Sequence, residues 1–277
     1  MRLAWLIALA ACGDNRHTEP RDETLTITAG GLERLVILHV PGDLGAAPLV
    51  LELHPSGGTA AGQQLTSRMD ELADREGFAV AYPQAAIPFG GGFQWHLPGQ
   101  PLVDDSPEPD GPDDVAFITQ ALRVIGGVAA IDDHRIYATG FSGGARMASQ
   151  LGCDLASIAA IAPLSGVRFS ESCVRDDVSV IAFHGTADAN NPYDGHGSLY
   201  WTYSVPVAMQ RWAANDACDP APVVARPAPT VALSTFAHCN HGAAVQLYTL
   251  EGEGHDVPHA VDANQLMWDA FRTHALP

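Results

Sequence analysis

From residue 24 onward the chain alternates between short apolar runs of strand length and longer segments with apolar residues at helical spacing. The runs are Leu25 to Ala29, Leu32 to Val40, Leu49 to Leu53, Phe78 to Tyr82, Ile136 to Thr139, Ile158 to Ala162, Val178 to Phe183 and Ala244 to Leu250. Helix-like segments lie near Gln63 to Arg75, Asp113 to Ile125, Ala145 to Leu151, Val207 to Ala214 and Val261 to His274. Gly30-Gly31 suits an opening hairpin. The alternation that follows predicts an α/β fold, with a mostly parallel central sheet and helices on both faces. Side chains that do chemistry are then expected at the carboxyl ends of strands. Two stretches break the rhythm and are expected as loops: Ala85 to Pro112 and the proline-rich span Asp219 to Pro229.

Length changes the picture only by limiting it, since 277 residues, 47% of them hydrophobic, fill one large core rather than two. A single catalytic domain is expected over residues 24–277. Met1 to Ala11 has one positive charge at Arg2, a short apolar stretch and small residues before Cys12, which reads as a secretory signal. Leu9-Ala10-Ala11-Cys12 resembles a bacterial lipobox, so Cys12 is the expected lipidation site and residues 12–23 a polar tether. Such an anchor holds a domain at a membrane without crossing it. No run approaches the roughly 18 to 20 apolar residues of a spanning helix. The formal charge of −18 repels phosphate backbones and argues against nucleic acid as a partner. All 14 basic residues are arginine, a fact to which no function attaches.

Beyond Cys12 four cysteines remain. An exported protein is expected to oxidise them to two disulfides, and of three pairings the sequence-local one is favoured: Cys153 with Cys173 and Cys218 with Cys239. The competing arrangement is a metal site from Cys218, His238, Cys239 and His241; its irregular spacing counts against it, and no metal is expected.

The chemistry concentrates where the run Ile136 to Thr139 enters Gly140-Phe141-Ser142-Gly143-Gly144 and a helix follows. GxSxG alone is a weak signal in a chain with 27 glycines; between a strand and a helix it fits a nucleophile elbow presenting the Ser142 hydroxyl. A serine hydroxyl needs a neighbouring base. His184, His255 and His259 are candidates, and His255 is favoured because Glu251 to Gly254 supplies a glycine-rich turn after a strand. His255 and His259 have zincin-like spacing, but Pro258 opposes the helix that spacing requires. Asp188, in the loop after Val178 to Phe183, is the expected acid, with Asp194 and Asp256 as rivals. Leu53 to Gly58 follows another strand and is expected to provide an oxyanion hole through the Ser56 amide, paired with that of Gly143. Trp95, His96, Tyr193 and Trp201 are loop aromatics that either shape a cleft or pack.

These segments together resemble the exported α/β-hydrolase esterases related to polyhydroxybutyrate depolymerases, feruloyl esterases and acetylxylan esterases. The matching segments are LHPSGGT at Leu53 to Thr59, DDVAFI at Asp113 to Ile118, IYATGFSGGARMA at Ile136 to Ala148, FHGTAD and NPYDG within Phe183 to Gly195, and GEGH at Gly252 to His255. The resemblance implies an α/β-hydrolase fold, no cofactor, and hydrolysis of esters in polymers or their fragments by a Ser142, Asp188 and His255 triad. It also implies that Trp95 lines the cleft; Tyr193 is taken as a second substrate contact. His54-Pro55, where many relatives have His-Gly, and the single glycine pair around Glu253 depart from the common pattern and bear on substrate preference. A peptidase or thioesterase would use the same three groups, and a binding protein could keep the scaffold alone.

Overall fold

The computed structural model describes residues 19–42, 45–107 and 111–277. The expected signal, the Cys12 lipidation site and the tether up to residue 18 lie outside the described residues. An opening hairpin forms from β1 (Arg21–Ala29) and β2 (Leu32–Val40), so the first strand starts four residues before the apolar run and takes in residues expected to be tether. There follow β3 (Ala47–Leu53), α1 (Ala60–Ser67), α2 (Met69–Glu76), β4 (Ala79–Pro83), a small hairpin of β5 (Ile87–Phe89) and β6 (Gly92–Gln94), and α3 (Asp114–Val128). The second half comprises β7 (Ile131–Phe141), α4 (Gly143–Asp154), β8 (Ile158–Leu164), β9 (Ser179–Gly185), α5 (Val205–Asn215), β10 (Val223–Ala228), β11 (Val231–Phe236), β12 (Val245–Leu250) and α6 (Ala263–Phe271).

Ten of these strands form one sheet in the order β1-β2-β4-β3-β7-β8-β9-β12-β11-β10. The six central strands, β4 to β12 in that order, are parallel, and an antiparallel pair finishes each edge. Burial on both faces explains why the central strands read as largely apolar runs: β3, β8 and β9 are buried at every position, including the polar Glu52, Ser179 and His184. Alternate residues serve opposite cores. Leu49, Leu51 and Ala138 pack with Phe117, Leu151 and Trp212 from α3, α4 and α5, whereas Val50, Tyr137 and Phe183 pack with Leu72, Met267 and Phe271 from α2 and α6.

The expected helix Gln63 to Arg75 is two helices, because Arg68 takes a left-handed φ of 55° between them. The proline-rich span expected as a loop contains β10, which makes a hairpin with β11. Proline is tolerated there because β10 is an exposed edge, where Pro227 forfeits no ladder bond to a further strand. Both disulfides form in the sequence-local pairing, Cys153–Cys173 and Cys218–Cys239. The first ties the end of α4 to the segment after β8. The second leaves no thiolates for the competing metal site, whose His238 instead bonds Asp219 at 2.7 Å.

Candidate active site

β7 runs buried to Gly140 and then turns sharply. Ser142 has φ 56° and ψ −113°, and α4 begins at the next residue. Such a backbone costs a residue with a Cβ about 1–3 kcal/mol, so its surroundings must impose it. Ser142 N–H donates to the Leu164 carbonyl at 2.9 Å, and a Cβ at either Gly140 or Gly144 would overlap the Leu53 carbonyl. The two outer glycines of GFSGG are thus close approaches of β3 on both sides of the turn. The Ser142 hydroxyl is left at the carboxyl edge of the sheet, above the free first-turn amides of α4.

His255 enters from the loop after β12 and Asp188 from the loop after β9. His255 Nδ1 lies 2.8 Å from Asp188 Oδ2, and its Nε2 lies 2.9 Å from Ser142 Oγ. A carboxylate can only accept, so Nδ1 carries the imidazole proton and Nε2 is the lone pair that receives the Ser142 hydroxyl. Asp188 Oδ1 accepts the amides of Asn190 at 2.9 Å and Asn191 at 2.8 Å, and buried His184 brings Nε2 to 3.3 Å from Oδ2. Burial opposes charge on Asp188, but the bonds from His184 and His255 outweigh it and hold the carboxyl well below the usual range. The rival acids stand apart: Asp194 is exposed, and Asp256 accepts from Val257 N–H and pairs with His259.

The Ser56 loop reaches the elbow directly. A Cβ on Gly143 would stand 2.9 Å from Ser56 N, so the absence of a side chain at Gly143 is what lets these two amide-bearing segments meet. A mostly apolar cavity of about 450 Å³ abuts this arrangement, bounded by Pro55, Phe141, Leu164, Val257, Val261 and Met267.

The family model described as Esterase PHB depolymerase matches residues 35–189, more than half of the chain. The chain belongs to this family. Feruloyl esterase B of Piromyces equi is 28% identical over 247 residues, covering 84% of this chain and 43% of that protein. The bifunctional acetylxylan esterase/xylanase XynS20E of Neocallimastix patriciarum is 27% identical over 242 residues, covering 86% of this chain and 33% of that protein. The chain thus spans less than half the length of these relatives. The acetyl xylan esterase from Aspergillus awamori superposes with a TM-score of 0.64 at 19% identity, over 90% of this chain and 99% of that one, and shares the α/β-hydrolase fold.

In this PHB depolymerase-family chain the expected aromatics do not face the site. Trp95 is 2% exposed, and its indole donates to the His54 carbonyl at 2.8 Å; it is a wall behind the Ser56 loop rather than the lining of a cleft. Tyr193 is half-buried against His184 and bonds Thr249 through its hydroxyl at 2.9 Å. Both are packing aromatics, and a loop position does not distinguish that role from substrate contact.

Sequence reasoning missed three supporting residues. Asn191 and Ser165 join the acid loop to the end of β8, the Asn191 amide donating to the Ser165 carbonyl at 2.7 Å, while the Ser165 hydroxyl reaches the Asp256 carbonyl beside the base. Asn191 was legible only as part of the NPYDG match. His54 is the third. Its Nε2 accepts Ala85 N–H at 3.1 Å, which leaves Nδ1–H to donate to the Pro55 carbonyl at 2.8 Å. Burial pushes the imidazole down to about 4, so it stays neutral and in this one tautomer. His54→Ala is expected to lower kcat for p-nitrophenyl acetate by about 10- to 100-fold, because a displacement of about 1 Å in an oxyanion donor has that effect. Steady-state kinetics beside a thermal melt tests it: a loss confined to stability would show that His54 does not position Ser56.

Among the described residues one group could in principle hold a metal, Asp22, His39 and Asp70, with ligand atoms within 4.8 Å of one another. It lies on the β1–β2 edge, and His39 is already paired with Asp22 at 2.8 Å and Asp74 at 3.0 Å.

Proposed function

We propose that the protein is an exported serine hydrolase of carboxylic esters, acting through Ser142, His255 and Asp188. The observation that carries this reading is the unbroken relay from Ser142 Oγ to His255 to Asp188, at 2.9 and 2.8 Å, on the elbow of an esterase family. His255 Nε2 takes the hydroxyl proton as Ser142 Oγ attacks the ester carbonyl, and the Ser56 and Gly143 amides receive the oxyanion. The imidazolium, stabilised by Asp188, then protonates the departing alcohol. Water deprotonated by the same nitrogen releases the acid from the acyl-serine. No step calls for a cofactor. The named relatives favour hydroxyalkanoate oligomers or feruloyl and acetyl esters of polysaccharides as substrates, with the apolar cavity beside Phe141 seating the hydrocarbon part. Two disulfides fit passage through an oxidising compartment. An N-terminal lipid on Cys12 remains part of the proposal.

A fluorophosphonate probe is expected to form a single adduct on Ser142, located by peptide mass spectrometry. Turnover is expected for p-nitrophenyl acetate and for aryl feruloyl or hydroxybutyrate esters, and not for matched peptides. Absence of both adduct and turnover would leave a binding protein on a hydrolase scaffold; preference for a peptide or thioester would replace the ester assignment.

A further inference from the structure

Arg168 and Arg146 are 7% and 2% exposed, and among the described residues neither forms an ion pair with an acid. Arg146 lies over the Tyr200 ring at 4.5 Å; Arg168 lies over Tyr203 at 3.9 Å and Trp201 at 5.2 Å. Arg168 Nε and Nη1 and Arg146 Nη1, all closed off from solvent, have no hydrogen-bond partner among the described residues. Burial is the main influence lowering the Arg168 pKa, and the cation Arg211 lowers it further. A buried charge without a counter-ion is costly by several kcal/mol. Of the two, Arg168 reaches a cavity, and that a chain with 32 acidic residues leaves it without a carboxylate among the described residues points to an anion supplied from outside.

Arg168 lines an open cavity of about 500 Å³ together with Gln100, Phe169, Ser170, Tyr203 and Arg211. Tyr203 serves both cations, since Arg211 also lies over its ring at 4.2 Å, and its hydroxyl is fixed by the Phe169 N–H and carbonyl. Among the described residues the one acid at the rim, Glu171, is exposed and occupied with Arg211. Two chains of contacts lead from Arg168 to the triad's surroundings. Trp201, which faces Arg168, also faces His184 at 5.8 Å and donates to the Pro192 carbonyl at 2.7 Å; Gly166, two residues before Arg168, packs on the Ser142 backbone.

We propose that this cavity binds a carboxylate carried by the ester substrate several bonds from the scissile carbonyl, with Arg168 as the buried cation and Arg211 at its mouth. The substrate half of this statement rests on the ester-hydrolase reading; the anion site does not. A carboxylate of this kind has two sources, the free end of a hydroxyalkanoate oligomer and a uronic acid on a polysaccharide.

Calorimetry with glutarate at neutral pH tests the site itself. The wild type is expected to bind it, Arg168→Gln to weaken binding at least about tenfold, and Glu171→Gln, which frees Arg211, to tighten it about two- to fivefold. Should Arg168→Gln not fold, Arg211→Gln carries the same test, with a weakening of about two- to fivefold. Opposite responses to Glu171→Gln and the arginine variants are not produced by a merely structural role. In kinetics, the kcat/KM ratio for mono-p-nitrophenyl glutarate over p-nitrophenyl butyrate is expected to fall about tenfold in Arg168→Gln. Two further pairs identify the source: hydroxybutyrate trimer against its methyl ester, and acetylated xylo-oligosaccharide with and without a glucuronic acid branch. Absence of glutarate binding by the wild type, or equal losses on charged and neutral esters, overturns the proposal. Glutarate binding without turnover of any ester would instead sink the hydrolase reading and leave the anion site standing.

Discussion

Ser142→Ala is expected to lower kcat for p-nitrophenyl acetate by on the order of a million-fold while leaving the melting temperature within about 2 °C of the wild type. The size of the loss follows from the geometry. Every covalent step passes through one oxygen, and with it gone His255 Nε2 faces a methyl group, with only the oxyanion amides and substrate binding left to assist water. The small effect on stability follows from the backbone: alanine keeps the Cβ, so the strain at φ 56° is the same in both proteins. Ser142→Gly separates the two contributions. It is expected to be as inactive as alanine yet to melt about 2–4 °C higher, because glycine takes this conformation without the penalty. Undiminished turnover in either variant would remove Ser142 from the mechanism.

Asp188→Asn is the second large effect, a fall in kcat of about 10⁴-fold. The asparagine amide can donate where the carboxylate only accepts, and when it does, His255 must turn its protonated nitrogen toward Ser142 and can no longer receive the hydroxyl proton. The companion substitutions Asp194→Asn and Asp256→Asn are expected to change kcat by no more than about twofold, since surface changes away from such features have small effects. A dominant effect at Asp256 would move the acid to the base's own loop. Stability offers an independent check. The Asp188 carboxyl is held below its unfolded value by the His184 and His255 bonds, so its charge stabilises the fold above about pH 4, and that contribution fades as pH falls through the lower folded value. The melting-temperature gap between wild type and Asp188→Asn is expected to narrow on acidification from pH 5 to pH 3.

The central strands were legible because both their faces are buried, which makes β3, β8 and β9 short and largely apolar, with Glu52 the one charged residue among them. The edges were not. β10 is exposed along nearly its whole length and carries Pro227, so neither alternation nor composition marks it as strand; only pairing with β11 does. The break between α1 and α2 rests on one left-handed arginine, which no local pattern announces. In the site, Ser142, Asp188 and His255 were readable because each sits in a small-residue turn after a strand and their chain order is characteristic of the fold. The supports were hidden for a different reason. His54, Ser165 and Asn191 act by bonds across 26 to 91 residues or through a single neighbouring carbonyl, relations that exist only once the loops are stacked.

The elbow and the imidazole that serves it are separated by 113 residues, and the imidazole's loop is hung from β12, the last parallel strand in the chain. Translation delivers polypeptide from its amino end. The nucleophile therefore emerges, and can even reach its strained turn, while its general base is still unmade. A species that stops short of β12 carries the serine without the imidazole proposed to take its proton.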